Sequence, residues 1–220
     1  HTILIVYAAF ALSLRAWGFI SGGLFYILFA IYFLAAWGRG KLRQRRLQKM
    51  LAGEECSDIV DEDGRVLGRA TRSVCHSRPG FLHPVVHLHV VNSWDEIYLQ
   101  RRSLKKQIQP GKWDTAVGGH VQSGESIDAA LRREAEEELG LREFKALALA
   151  RYRWESGIES ELVFMFVART DQPLQPNLQE LDGGAFWKLK KIKAALGKDV
   201  LTPNFEAEFA FLLEKVFRKS

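Results

Sequence analysis

Apolar and polar positions divide this chain into two dissimilar parts. Residues 18–36 (GFISGGLFYILFAIYFLAA) form an uncharged apolar run bracketed by Trp17 and Trp37. Wound as a helix rising about 1.5 Å per residue, the run reaches about 28 Å, close to the ~30 Å hydrocarbon thickness of a bilayer. Tryptophan at both ends suits the membrane interface, where an amphipathic ring sits between headgroup and acyl chain. Residues 2–14 are also apolar but short for a span, which predicts either one transmembrane helix or a helical hairpin turning near residues 15–18. From Asp58 the pattern changes to short strand-like alternation. Residues 58–60 and 66–70 flank the turn cluster Asp61-Glu62-Asp63-Gly64, and residues 84–91 and 97–100 make a second antiparallel pair around 92–95. Residues 116–121 read as a short strand entering a glycine-bearing loop, and 126–139 as a helix stopping before Gly140. Residues 146–153 and 162–169 read as strands, 172–176 as a loop, and 189–196 and 204–216 as helices. The last of these buries Phe205, Phe209, Leu212, Leu213 and Val216. Strands mixed with three helices predict a layered α/β domain. The expected organisation is a hydrophobic membrane segment at 1–38, a basic linker at 39–52 and a globular domain at 53–220.

A chain of 220 residues has room for one well-buried domain plus an appendage. Its two cysteines, Cys56 and Cys75, make no disulfide framework and fit a reducing compartment. The formal net charge of +5 suggests a nucleic-acid binder until it is located. Residues 1–49 hold seven Arg and Lys and no acid, which leaves the remainder at −2, so no nucleic-acid partner is expected. The basic cluster at 39–49 follows the apolar run, and the positive-inside tendency keeps it and the domain behind it cytoplasmic. The expectation is therefore a domain anchored to the inner or cytoplasmic membrane through residues 1–38. If translation starts at Met50, the domain is cytosolic. A secretory signal is disfavoured, because the basic charge lies after the apolar run.

Chemistry concentrates in residues 119–141. Glu134 and Glu138 are four apart on the predicted helix and Glu137 is three from Glu134, so the three carboxylates share one face. Like charges that close repel unless a cation sits among them, and hard oxygen ligands suit Mg²⁺, with Mn²⁺ as the alternative. Arg133 lies four residues before Glu137 and can orient or neutralise a carboxylate, while Gly119 and Gly124 let the loop bend and approach a ligand closely. An acidic run such as Glu136–Glu138 alone would read as a solvated face. Here Gly119, Glu125, Arg133 and Gly140 stand in register with it.

These residues resemble the Nudix box at each of its nine specified positions: Gly119, Glu125, Arg133, Glu134, Ala135, Glu137, Glu138, Gly140 and Leu141. The resemblance implies a Nudix α/β/α sandwich with a mixed β-sheet, whose loop–helix–loop holds a divalent metal, and a domain able to form a homodimer. It also implies metal-dependent hydrolysis of a diphosphate bond in a small nucleoside-diphosphate-type or other organic diphosphate. In that reading Glu134, Glu137 and Glu138 are metal ligands, Glu134 and Glu137 are catalytic, and a box glutamate or Glu161 takes the proton of the attacking water. Arg102 and Lys106 lie just upstream, where they can meet the phosphates or simply end a basic hairpin, and Gly119 sits beside the substrate.

From about His76 to Phe205 the chain is also similar to isopentenyl-diphosphate isomerase, a branch of the same superfamily. His76, His83 and His120 fall where that enzyme has metal-binding histidines, and Glu159 and Glu161 where it has two metal-binding acids. A second metal site on these five residues is implied. Pro110-Gly111-x-Trp113 and Leu201-Thr-Pro203 have counterparts there too. Two departures disfavour isomerase chemistry: Gly118 takes the place of the catalytic cysteine, and Asn204 that of a tryptophan sheltering the carbocation. A non-catalytic, membrane-tethered diphosphate-binding module is the remaining alternative, against which the intact carboxylate set argues. His87 and His89, two apart on a predicted strand, point to one face, a spacing open to either metal ligation or hydrogen bonding within the sheet.

Overall fold

The computed structural model describes residues 32–34, 36–37, 56–76, 80–106 and 108–218. The expected membrane segment and basic linker lie outside the described residues, apart from 32–34 and 36–37, which are helical. Among the described residues no helix is long and apolar enough to cross a membrane. Residues from Glu55 onward form one compact unit.

Strands β1 (Cys56–Val60) and β2 (Val66–Thr71) make a small antiparallel hairpin, followed by the single-turn helix α1 (Arg72–Cys75). The main sheet is built on β3 (Leu82–Val91), in which every residue is buried. One edge of β3 pairs in parallel along its whole length with β8 (Ser160–Arg169), which carries β7 (Ala146–Glu155) antiparallel on its far side. The opposite edge is shared. The last residues of β3 pair with β4 (Ile97–Arg102), and Val85 to Leu88 pair with β6 (Val117–His120). Strand β4 in turn holds β5 (Trp113–Asp114) and β9 (Leu181–Trp187). The result is a seven-stranded mixed sheet.

Side chains on a strand alternate between faces, and here the alternation assigns the two layers. Val86, Leu88 and Val90 of β3 join Phe164 and Phe166 of β8 against α2 (Ile127–Leu139), which presents Ala130, Leu131, Ala135 and Leu139. Val91 of β3 joins Ile97 and Leu99 of β4 and Met165 and Val167 of β8 against the opposite layer. That layer is α3 (Leu189–Ala195) and α4 (Pro203–Lys215), with Ile192, Phe205, Phe209 and Leu212 at its centre. Helices cover both faces, so the architecture is the expected mixed-sheet α/β/α sandwich.

Helix α2 begins at Ser126, whose hydroxyl accepts from the Ala129 amide, and ends at Gly140, whose φ of 65° is a left-handed stop that costs glycine little. Helix α4 starts with Thr202 accepting from the Phe205 amide and with Pro203 in its first turn. The expected strands and helices are present, with no end moved by more than two residues. Three elements were not anticipated. Strand β9 contains Asp182-Gly183-Gly184, a loop-like stretch that becomes a strand because β4 offers it a whole edge. Strand β5 has two residues and α1 a single turn, both too short for periodicity to register.

Candidate functional site

A cavity of about 330 Å³ opens where β6 leaves the sheet, bordered by Gly118, Gly119 and His120 together with residues from β3, β4, β8, α2 and the start of α4. Consecutive residues of β6 face opposite layers. A side chain at Gly119 would collide with that of Glu134 on α2, and one at Gly118 would come to 3.7 and 3.8 Å from Cδ2 and Nε2 of His87 on the other side. The glycine pair thus lets an acid of α2 and a histidine of β3 approach the strand from both faces.

On the α2 side, Arg133 makes five hydrogen bonds. Nε and Nη2 reach the two oxygens of Glu125 at 2.9 Å each, Nη1 reaches Glu134 at 2.7 Å and Glu137 at 3.1 Å, and Nη2 also donates to the His120 carbonyl at 3.0 Å. Its bond to Arg133 holds the Glu125 carboxyl below the usual carboxylate range. The three glutamates are not equivalent. The Glu137 side chain is 54% exposed, that of Glu134 only 14%, and Glu138 is buried and borders the cavity. Burial, followed by the neighbouring Glu134, pushes the Glu138 carboxyl up to about 8, although one oxygen accepts from the Gly118 amide at 3.2 Å. Burial raises Glu134 as well. These acids are poorly stabilised as anions by protein groups alone, which is the condition a cation would relieve.

On the other face, His76, His83 and His120 converge, with one ligand atom from each all lying within 4.8 Å of one another. Nε2 of His76 is 2.9 Å from Nε2 of His120 and 3.5 Å from Glu159. His83 donates Nδ1–H to the Phe81 carbonyl at 2.9 Å, a bond that fixes its tautomer and leaves Nε2 buried without a partner. Burial disfavours the charged form of all three rings. Neutral imidazoles, an orphaned buried nitrogen and the two nearby acids make a donor set that could hold a divalent transition metal. Glu161 pairs in register with His83 and borders the cavity with Glu159. Burial, then the charge of Glu159, lifts its carboxyl to about 7.

Arg102 and Lys106 border the same cavity. Arg102 is held by Asp114 at 3.0 Å and the Ile108 carbonyl at 3.1 Å, and the Lys106 ammonium lies 3.9 Å from Glu180. The structure therefore gathers Glu138, His76, His120, Glu159, Glu161, Arg102, Lys106 and Gly119 at one opening. His83 lies in the imidazole cluster and Glu134 behind Gly119. Glu137 and Glu125 stand on Arg133. Asn204 and Gly118 border the cavity; neither Cys56 nor Cys75 is among the residues lining it.

Of the two readings open for His87 and His89, hydrogen bonding is what the geometry gives. Both rings bond the fully buried Glu208 of α4, at 2.7 and 2.8 Å, and Tyr152 adds a third bond at 2.6 Å. Burial opposes a charge on His87, but the Glu208 carboxylate outweighs it and lifts the ring to about 9. For Glu208 itself burial is likewise outweighed, by His87 and His89, and its carboxyl is held far below the usual range. Sequence reasoning passed over Glu208. Its signal was an acid standing among Phe205, Phe209 and Leu212 on one apolar helical stripe. Asp114 and Thr202, bonded at 2.6 Å beneath the cavity, were also missed.

Residues 81–205 match the NUDIX domain. Isopentenyl-diphosphate Delta-isomerase 1 of Photorhabdus laumondii is 32% identical over 169 residues, covering 73% of this chain and 96% of the relative. An uncharacterised Nudix hydrolase of Pseudomonas aeruginosa is 35% identical, covering 58% and 75%. A crystal structure of a Deinococcus radiodurans protein superposes with a TM-score of 0.62 at 26% identity, covering 74% of this chain and all of that one. A MutT protein of Methanosarcina mazei gives 0.54 at 25%, covering 63% and 96%. With the fold, the box and these similarities in agreement, the chain belongs to the NUDIX domain family.

Two outcomes follow from this geometry. Gly119→Ala should keep the fold, because the colliding group is a side chain able to swing away, yet lose turnover by about 100-fold through displacement of Glu134. Parallel thermal unfolding and rate measurements check this, and an unchanged rate would separate Glu134 from the chemistry. His87 is a raised group, so its stabilisation is complete below the ordinary histidine value of 6.5 and is lost as pH rises through about 9. In chelator, the difference in urea-unfolding free energy between wild type and His87→Gln should shrink by roughly 3 kcal/mol over that window. A difference flat with pH would show that His87 does not carry the charge.

Proposed function

We propose that this domain hydrolyses the phosphoanhydride bond of a small organic diphosphate of the nucleoside-diphosphate type, using Mg²⁺, with Mn²⁺ as a substitute. The observation that carries the reading is Glu138, a buried carboxyl raised to about 8 beside Glu134 and bordering a cavity whose rim includes Arg102 and Lys106. Glu134, Glu137 and Glu138 would hold the ion through oxygens, the donor type it prefers. When bound, Mg²⁺ supplies Lewis acidity toward phosphate oxygens and lowers the pKa of a coordinated water. Arg133 fixes the rotamers of Glu134 and Glu137 from the side. Glu161, raised to about 7, is suited to accept a proton from the attacking water. Arg102 and Lys106 offset charge on the phosphates. His76, His83 and His120 with Glu159 and Glu161 would hold a second ion, for which the orphaned Nε2 of His83 is the structural sign. The length and composition of residues 18–36 support a membrane tether for this domain on the cytoplasmic side.

A second reading, isomerisation of a five-carbon allylic diphosphate, is favoured by the three-histidine cluster and by the isomerase-named relative. It ranks second because Gly118 puts no acid–base group in the cavity where that chemistry moves a proton.

The test is a panel of nucleoside diphosphates, their conjugates, nucleoside triphosphates and isopentenyl diphosphate, assayed with Mg²⁺ for both phosphate release and product identity. The expected result is Mg²⁺-dependent release of phosphate or a mononucleotide from at least one compound, abolished by Glu137→Gln in a protein of unchanged far-ultraviolet dichroism. Interconversion of the allylic diphosphates without phosphate release would instead establish the second reading.

A further inference from the structure

The proposed hydrolysis leaves one built feature unused. Glu208 has no exposed surface, lies on the apolar stripe of α4, and is tied to His87, His89 and Tyr152 from two different strands. Packing alone does not call for this arrangement, since a well-fitted apolar side chain closes a core at least as well as a buried charge. Of the four residues, only His87 borders the cavity.

Its orientation there is determined. Nδ1 faces Glu208 at 2.7 Å, which turns the opposite edge of the ring toward the space a side chain at 118 would fill. Gly118 fills none of it, so the Nε2 edge looks into the opening. Among the described residues nothing hydrogen-bonds this nitrogen. The buried Glu208 carboxylate from α4 faces the ring directly at 2.7 Å and is shared with His89 of the same strand and Tyr152 of β7. Asp114 from β5, itself paired with Arg102 of β4, Glu161 from β8 and His120 on β6 stand around it. Paired at 2.7 Å with that buried carboxylate, the ring is held as an imidazolium with a proton on both nitrogens, and so presents Nε2–H as a donor.

We propose that His87 contacts the substrate, donating Nε2–H to a non-bridging oxygen of its diphosphate, with Glu208 as the positioning residue behind it. The inference rests on the diphosphate-hydrolase reading and adds to it a buried cationic donor on the sheet side of the cavity. Arg102 is already paired with Asp114, and Lys106 stands near Glu180, so neither offers an equally free buried donor. Charge-assisted N–H···O bonds in a desolvated site are about twice as strong as neutral ones.

The test uses the 220-residue chain with ¹⁵N-labelled histidine, titrated with inorganic pyrophosphate in the presence of Mg²⁺ while calorimetry measures the affinity. The His87 Nε2 resonance should shift along the calorimetric saturation curve. His87→Gln should weaken pyrophosphate binding about 10- to 100-fold, the loss of a hydrogen bond to a charged group. The ratio of wild-type to Glu208→Gln affinity should rise between pH 6 and 8, because only in the variant does the unsupported ring lose its second proton near the ordinary value, while the titration of pyrophosphate, Glu138 and Glu161 is common to both. A purely structural Glu208 would not produce that pH dependence. If either variant fails to fold, the wild-type resonance decides. Pyrophosphate binding with an unmoved His87 resonance would overturn this inference and leave the hydrolase reading standing. No pyrophosphate binding at all would overturn both.

Discussion

Arg133 has five N–H donors and makes five hydrogen bonds, to both oxygens of Glu125, to Glu134, to Glu137 and to the His120 carbonyl. A planar guanidinium fork can do this; a lysine ammonium, with three donors and no fixed plane, cannot. Through these bonds one side chain ties α2 to the loop before it and to the end of β6, the strand that borders the cavity. The positions of Glu134 and Glu137, and through them the space left for Glu138, depend on that fork. The glycine at 119 is its counterpart, because the Glu134 carboxylate occupies the volume a side chain there would need.

Around this hub the structure keeps charge out of water in two opposite ways. On the α2 side burial, reinforced by the neighbouring acids, shifts Glu134 and Glu138 upward. On the α4 side Glu208 is shifted downward, because two imidazoles and a phenol surround it. On the proposed hydrolase reading, a cation completes the first arrangement. In the second, Glu208 is fully partnered, and His87 turns its Nε2 edge to the cavity, where we propose that it donates. A diphosphate bridging the two would meet an ion on one side and a fixed N–H on the other, which is the arrangement we propose.

The box was legible because its meaning lies in spacing along one helix, where residues three and four apart are neighbours whatever the rest of the chain does. The buried strands β3 and β8 were legible from their apolar runs, and the histidine–glutamate group from its resemblance to the isomerase branch. What escaped depends on contacts distant in sequence. Glu208 meets His87 across 121 residues, and nothing local marks an acid in an amphipathic helix as the partner of a strand histidine. Strand β9 escaped for a similar reason, since its glycines read as a loop until β4 supplies the pairing edge. The inequality of the three glutamates was hidden too: helical spacing places them on one face, but the sheet and Arg133 decide which are buried.

We propose that the raised acids of α2 hold a divalent ion. Anomalous diffraction from crystals grown with Mn²⁺ tests it most directly. The expected result is an anomalous peak within bonding distance of the Glu138 carboxylate and of at least one of Glu134 and Glu137. A structure in which Mn²⁺ occupies the histidine cluster alone, with the Glu138 carboxylate still unbound, would contradict it.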